Sequence, residues 1–185
     1  MRVITGLAKG RRLLTPKSSK IRPALDQVKE AIFNILFDVT GLRVLDLFAG
    51  TGSMGIEALS RGAAFAIFID DYVQAIELIK KNLERCGLSD RANVFKSRVG
   101  PAIRRLERKG RSFDIIFVDP PYLKNLVNPT LEKLTTSALV SPSSIIIVEH
   151  HPKEPIKPID GLALTDTRHY GQTDVSFLRR NAREM

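Results

Sequence analysis

Apolar residues recur along this chain in two rhythms, and the change from one to the other maps its elements. From residue 25 to 36, Leu25, Val28, Ile32, Ile35 and Leu36 fall three or four apart, which predicts a helix with one apolar face after Pro23, closed by Thr40-Gly41. Beyond it the runs shorten. Val44-Leu45-Asp46-Leu47, Phe65 to Ile69, Val94-Phe95, Phe113 to Val118 and Ile145 to Val148 are brief, nearly continuous apolar stretches. Helical patterns separate them at Gly55 to Arg61, about 72–86, Ala102 to Lys109 and near 128–138. The second of these places Tyr72, Ile76, Ile79 and Leu83 inside and Lys80, Lys81, Glu84 and Arg85 outside. Continuous apolar strands alternating with amphipathic helices predict an α/β fold, a mostly parallel sheet covered on both faces.

The two ends of the chain break this alternation. Leu162 to Thr165 and Val175 to Leu178 are separated by Tyr170-Gly171-Gln172 with no room for a helix, so a C-terminal antiparallel hairpin completes a seven-stranded sheet. Arg2 to Thr5 and Arg12 to Leu14 flank Gly6 and Gly10 and predict a small N-terminal β-hairpin. The expected division is a hairpin extension over 1–22 and an α/β domain over 23–185.

Charge changes the picture most at the N-terminus. The 185 residues carry a formal net charge of +9, which calls for an acidic partner. Arg2, Lys9, Arg11, Arg12, Lys17, Lys20 and Arg22 face no acid within residues 1–25, so the hairpin reads as a nucleic-acid contact. A second basic run, Arg104, Arg105, Arg108, Lys109 and Arg111, fits a solvated helix face or an auxiliary contact equally well. The single cysteine, Cys86, allows no internal disulfide and fits a reducing cytosol. No apolar stretch approaches membrane-spanning length and the start is not a signal peptide, so a cytoplasmic protein with no membrane partner is expected. His150-His151 lacks a third ligand nearby, reads as exposed loop, and no metal is expected.

Two motifs fall at strand ends, where ligands bind in such sheets. The first, Asp46-Leu47-Phe48-Ala49-Gly50-Thr51-Gly52-Ser53-Met54-Gly55, contains G-x-G-x-x-G between strand and helix, with Asp70 twenty residues past Gly50. The glycines permit a tight turn against a ligand, and Asp70 can hold ribose hydroxyls. Asp46 discriminates among nucleotides: a carboxylate before the turn repels a pyrophosphate and attracts an ammonium. That favours S-adenosylmethionine as cofactor, with NAD as the rival of an oxidoreductase reading.

The second motif is Asp119-Pro120-Pro121-Tyr122. Asp119 can accept a hydrogen bond from an amine, and the Pro120 carbonyl can accept another. The prolines lack N–H groups and fix φ. Tyr122 offers a face for a flat base, worth about 1–3 kcal/mol. An exocyclic base amine is a poor nucleophile because its lone pair is delocalised. Two acceptors on its hydrogens would free that lone pair, and Asp119 would stabilise the charge that develops on nitrogen.

D-x-F-x-G-x-G followed by an acid or Asn, two prolines and an aromatic resembles the amino-methyltransferases with a Rossmann-like core. The chain as a whole resembles the RsmD-like bacterial family, through MRVITGLAKGRRL, IRPALDQVKEAIFNIL, LDLFAGTGSMGIEALSRGA, FVDPPY and YGQTDVSFLRR. The resemblance implies a Rossmann-like methyltransferase fold and transfer of a methyl group from S-adenosylmethionine to N2 of a specific guanine in small-subunit (16S) rRNA. It implies Asp46, Phe48, Ala49, Gly50, Thr51, Gly52, Asp70 and Ser97 at the cofactor and Asp119, Pro120 and Tyr122 at the target base. Arg11, Arg12 and Arg22 would contact 16S rRNA, free or in a partly assembled small subunit, and a monomer is expected. Three positions depart from the family pattern: Ala24 replaces a Thr, Tyr72 an Asp, and Ser97-Arg98 an acid or Asn beside adenine. Adenine-N6 methylation of DNA, and a non-catalytic rRNA-binding assembly factor, are the alternatives.

Overall fold

The structure is a computed structural model that describes residues 1–16 and 23–181. Helix α1 (Pro23–Leu36) leads into the alternating core: β1 (Arg43–Leu47), α2 (Ser53–Ser60), β2 (Phe65–Asp70), α3 (Val73–Cys86), β3 (Ala92–Lys96), α4 (Val99–Glu107), β4 (Phe113–Val118), α5 (Val127–Thr135) and β5 (Val140–His150). Strands β6 (Leu162–Tyr170) and β7 (Thr173–Arg180) form the terminal hairpin. The strand order is β3-β2-β1-β4-β5-β7-β6, with β1 to β5 parallel and β7 antiparallel to both neighbours. The chain therefore builds outward from β1 to β3, returns, and builds the other way from β4. The crevice opens where that reversal occurs, past the carboxyl ends of β1 and β4.

Side-chain alternation feeds two cores. Val44, Ile115, Phe117 and Ile147 face one layer with α1, α2 and α3, represented by Ile32, Phe33, Ile56 and Ile79. Leu45, Leu47, Ile116, Val118 and Ile146 face the other with α4 and α5, represented by Ile103, Leu106, Leu131 and Leu134. Because both faces are covered, the central strands β1, β2 and β4 carry few polar alternates, which is why they read as nearly continuous apolar runs.

Two helix faces differ from the periodic reading. In α1 it is Phe33 that is buried, against the Phe117 ring at 5.9 Å, while Ile35 is exposed. Both are apolar, and the position of β4 decides between them. Tyr72 is not on the inner face of α3; it precedes the helix and is 66% exposed. Strand β5 also runs well upstream of Ile145, starting at Val140. His150 is no exposed loop residue: it ends β5, is buried, and its Nε2 lies 3.0 Å from Ser176 Oγ.

The N-terminal hairpin has little ladder of its own, a single antiparallel bridge between Arg2 and Arg12. Buried polar groups on the helices hold it instead. Glu57 accepts from the Ile4 and Thr5 amides at 2.8 and 3.0 Å, and Ser60 Oγ accepts from the Ala8 amide at 2.9 Å. Lys29 Nζ donates to the Arg2 carbonyl at 2.6 Å and lies 3.6 Å from Glu57. Val3, Ala8 and Leu13 join the first core. Gly6, at φ 86°, sits against the Ser60 carbonyl so closely that a Cβ would collide with it.

Candidate active site

At the carboxyl edge of the sheet lies a cleft of ≈ 1780 Å³. A single small ligand occupies roughly 300–1,000 Å³, so this space suits a cofactor and a second planar group together. Phe48, Gly50, Thr51, Asp70 and Ser97 line it, and so do Asp119, Pro120 and Tyr122. Asp46, Ala49 and Gly52 form the layer behind that wall, each buried. Arg11 and Arg12 are exposed on the hairpin, and Leu14, Thr15 and Pro16, just past them, line the cleft. Arg22 lies outside the described residues.

The glycine turn is built by backbone demands. Gly50 and Gly52 take φ of 56° and 78°, left-handed values that cost a side chain strain. Gly52 directly precedes α2, and its amide donates to the Ala49 carbonyl at 2.7 Å. Gly55 packs on Phe68, whose ring occupies the space a Cβ would need. Two carboxylates brace the turn. Asp70 Oδ2 accepts from the Gly50 amide at 2.8 Å and Oδ1 from the Tyr72 amide at 2.9 Å. Asp46 Oδ2 accepts from the Gly55 amide at 3.0 Å. Burial pushes the Asp46 carboxyl up to about 7, with Asp70's charge adding to the rise and the Gly55 bond opposing it.

Asp119 follows β4 directly and opens into the cleft. Its carboxyl is held well above the usual carboxylate range by surrounding protein, then by the charges of Glu149 and Asp46. Tyr122 turns its hydroxyl to Glu149 Oε1 at 2.8 Å and lies 2.7 Å from Thr173 Oγ1. Burial raises the pKa of Tyr122 and that of Glu149. Glu149 and Thr173 both line the cleft and neither was foreseen. The signal for Glu149 was present: it ends the apolar run Ile145 to Val148 as Asp119 ends Phe113 to Val118.

These residues fit S-adenosylmethionine. A glycine turn offers close approach, Asp70 keeps acceptor capacity beyond its two backbone bonds, and the high carboxyl of Asp46 marks a site whose charged form lacks a cation. Among the described residues, no group of three or more His, Cys, Asp or Glu is placed to hold a metal ion.

Fold and cleft together define a Rossmann-like methyltransferase. The chain belongs to the family described as Conserved hypothetical protein 95, which matches residues 1–179 and answers to the RsmD-like resemblance. It is 37% identical over 150 residues to Ribosomal RNA small subunit methyltransferase D of Escherichia coli K12, covering 80% of this chain and 74% of that one. YlbH of Bacillus subtilis is 36% identical over 184 residues, 97% of this chain and 99% of that one. The solved structure of yhhF from Escherichia coli superposes with a TM-score of 0.85 at 31% identity, covering 99% of each chain.

Proposed function

We propose that this protein transfers the methyl group of S-adenosylmethionine to the N2 amine of a guanine in small-subunit (16S) rRNA. The observation that carries the reading is that Asp119, Pro120 and Tyr122 share one cleft with Gly50, Thr51 and Asp70. The relatives named Ribosomal RNA small subunit methyltransferase D in Escherichia coli and Haemophilus influenzae support rRNA as the substrate.

S-adenosylmethionine, when bound, supplies an electrophilic methyl group. Asp70 would hold its ribose, and Phe48, Gly50 and Thr51 would pass along it, with Ser97 towards the adenine. Asp46 would stabilise the amino-acid ammonium from behind the turn. The Asp119 carboxylate and the Pro120 carbonyl accept the two amine hydrogens, which localises the nitrogen lone pair. The Tyr122 ring stacks on the base and fixes its plane. As nitrogen becomes alkylated, Asp119 stabilises the new positive charge, and the surplus proton leaves to Asp119 or to water. The target base must be unpaired or extruded to reach this depth. Arg11, Arg12 and Arg22 would hold the surrounding RNA backbone, in the cytoplasm and by a monomeric protein, on free rRNA or a partly assembled subunit.

The test is to incubate the protein with labelled cofactor and either unmodified small subunits or unmethylated DNA, and to map the label. Wild type should label one guanine. Asp119→Ala should lose about 10²–10³-fold in turnover and still bind S-adenosylhomocysteine. Label on DNA adenine instead, or RNA binding without turnover in either protein, would replace this reading by one of its alternatives.

A further inference from the structure

The cleft floor holds a second carboxylate that the chemistry above does not use. Strands β4 and β5 pair Val118 with Val148, so Asp119 and Glu149 come next on adjacent parallel strands. Phe117 and Ile147, two residues earlier, share the first core, and alternation turns Asp119 and Glu149 to that same face. Glu149 Oε1 accepts from Tyr122, while Oε2 carries no hydrogen bond among the described residues, and the residue lines the cleft. The hydroxyl of Tyr122, bracketed by Glu149 and Thr173, locks the stacking ring and this carboxylate into one unit.

We propose that Glu149 is a specificity-determining residue that accepts the ring N1–H of the target guanine beside the amine held by Asp119. The inference rests on the reading of the cleft as an rRNA base-amine site. Guanine presents two neighbouring donors on this edge, the N2 amine and N1–H. Adenine and cytosine place a bare ring nitrogen, an acceptor, next to their amine. Two carboxylates side by side match donor with acceptor twice for guanine. For the other two bases, the second carboxylate meets a lone pair. Asp119 thus defines that an amine is bound, and Glu149 defines which base carries it.

The experiment uses small subunits reconstituted with guanine or 2-aminopurine at the labelled position. 2-Aminopurine keeps the N2 amine and lacks N1–H. Wild type should prefer guanine in kcat/KM by roughly 10²-fold or more, since a site built to accept a hydrogen bond rejects a partner that cannot give one. Glu149→Gln, whose amide N–H can donate to the bare N1, should shrink that preference at least about tenfold. Glu149→Asp should keep guanine ahead. Tyr122→Phe, which loses the grip on Glu149 but keeps the carboxylate, should slow turnover while guanine stays preferred. S-adenosylhomocysteine binding by each variant reports that the fold and cofactor pocket survive.

An unchanged preference in Glu149→Gln overturns the proposal while leaving the rRNA reading standing. Should that variant fail to bind S-adenosylhomocysteine, the wild-type ratio decides, and a value near one overturns it. Failure of wild type to label any rRNA guanine overturns both.

Discussion

Replacing Asp46 by Asn should stabilise the protein at neutral and alkaline pH, by an amount the structure bounds. Asp46 is 2% exposed, and burial has moved its carboxyl from 3.8 to about 7. A shift of roughly 3 units corresponds to about 4 kcal/mol between the two protonation states. The folded chain holds this proton more tightly than the unfolded chain does. Stability from this group is therefore full below the unfolded pKa near 4, falls as pH rises, and is gone above about 7. Asn cannot ionise, and its Oδ1 can still accept from the Gly55 amide. Glu149 titrates in both proteins and largely cancels in the difference, whereas loss of the Asp46 charge relieves Asp119 and adds to the variant's gain at high pH. Urea unfolding of cofactor-free wild type and Asp46→Asn at pH 4.5, 6 and 8 should show the variant only about 1 kcal/mol ahead at the first. The variant should then gain progressively, up to about 4 kcal/mol at pH 8. The same change should weaken S-adenosylhomocysteine binding most at pH 8, where the wild-type charge is present, and little at pH 5. A stability difference flat across the range refutes the burial argument.

Two further outcomes follow from the hairpin. Glu57→Ala leaves Lys29, itself 2% exposed, without its buried counter-charge and strips the acceptor from two amides, so urea unfolding should report a loss of about 3–5 kcal/mol. A loss below about 1 kcal/mol would mean the hairpin is held by apolar packing alone. Arg11→Ala with Arg12→Ala should weaken RNA binding and lower the slope of log K against log salt by about 1–2, with S-adenosylhomocysteine affinity unchanged. An unaltered slope would remove these two residues from the RNA contact.

The parts of this protein that were legible in its sequence are those where one residue type answers to one backbone demand. Apolar runs gave the strands because both sheet faces are covered. Gly50 and Gly52 marked the turn because only glycine accepts those φ values without strain. What stayed hidden depends on partners distant in sequence. Glu57 and Ser60 carry no mark of burial in the spacing of α2, yet both are buried, since the hairpin amides more than fifty residues upstream need their oxygens. Glu149 gains meaning only through the register that sets it beside Asp119, thirty residues earlier. Phe33 outcompetes Ile35 because Phe117 is on that side, and spacing within α1 cannot contain that fact.

Asn82 explains how the hairpin and the cleft belong to one site. Fully buried on α3, its Oδ1 accepts from the Leu14 amide at 2.7 Å, and its Nδ2 donates to the Leu14 and Thr51 carbonyls at 3.1 and 2.9 Å. One side chain thus closes both the end of the hairpin and the glycine turn. From that knot Leu14, Thr15 and Pro16 continue as cleft wall. The charges are sorted accordingly. Lys9, Arg11 and Arg12 on the hairpin and Lys81, Arg98, Lys124 and Lys133 around the cleft are exposed cations, and they outnumber the exposed acids of the cleft wall, Asp71 and Glu77. Asp46, Asp70, Asp119 and Glu149 lie at or behind the floor. A polyanion is attracted to such a rim and repelled from such a floor, so a dinucleotide's pyrophosphate would meet carboxylates where it needs donors. A nucleotide in RNA divides the other way, with its phosphates at the rim and a neutral base edge rich in N–H groups going down. The gradient from cationic rim to anionic floor is thus a physical reason to place RNA outside, and a base amine within.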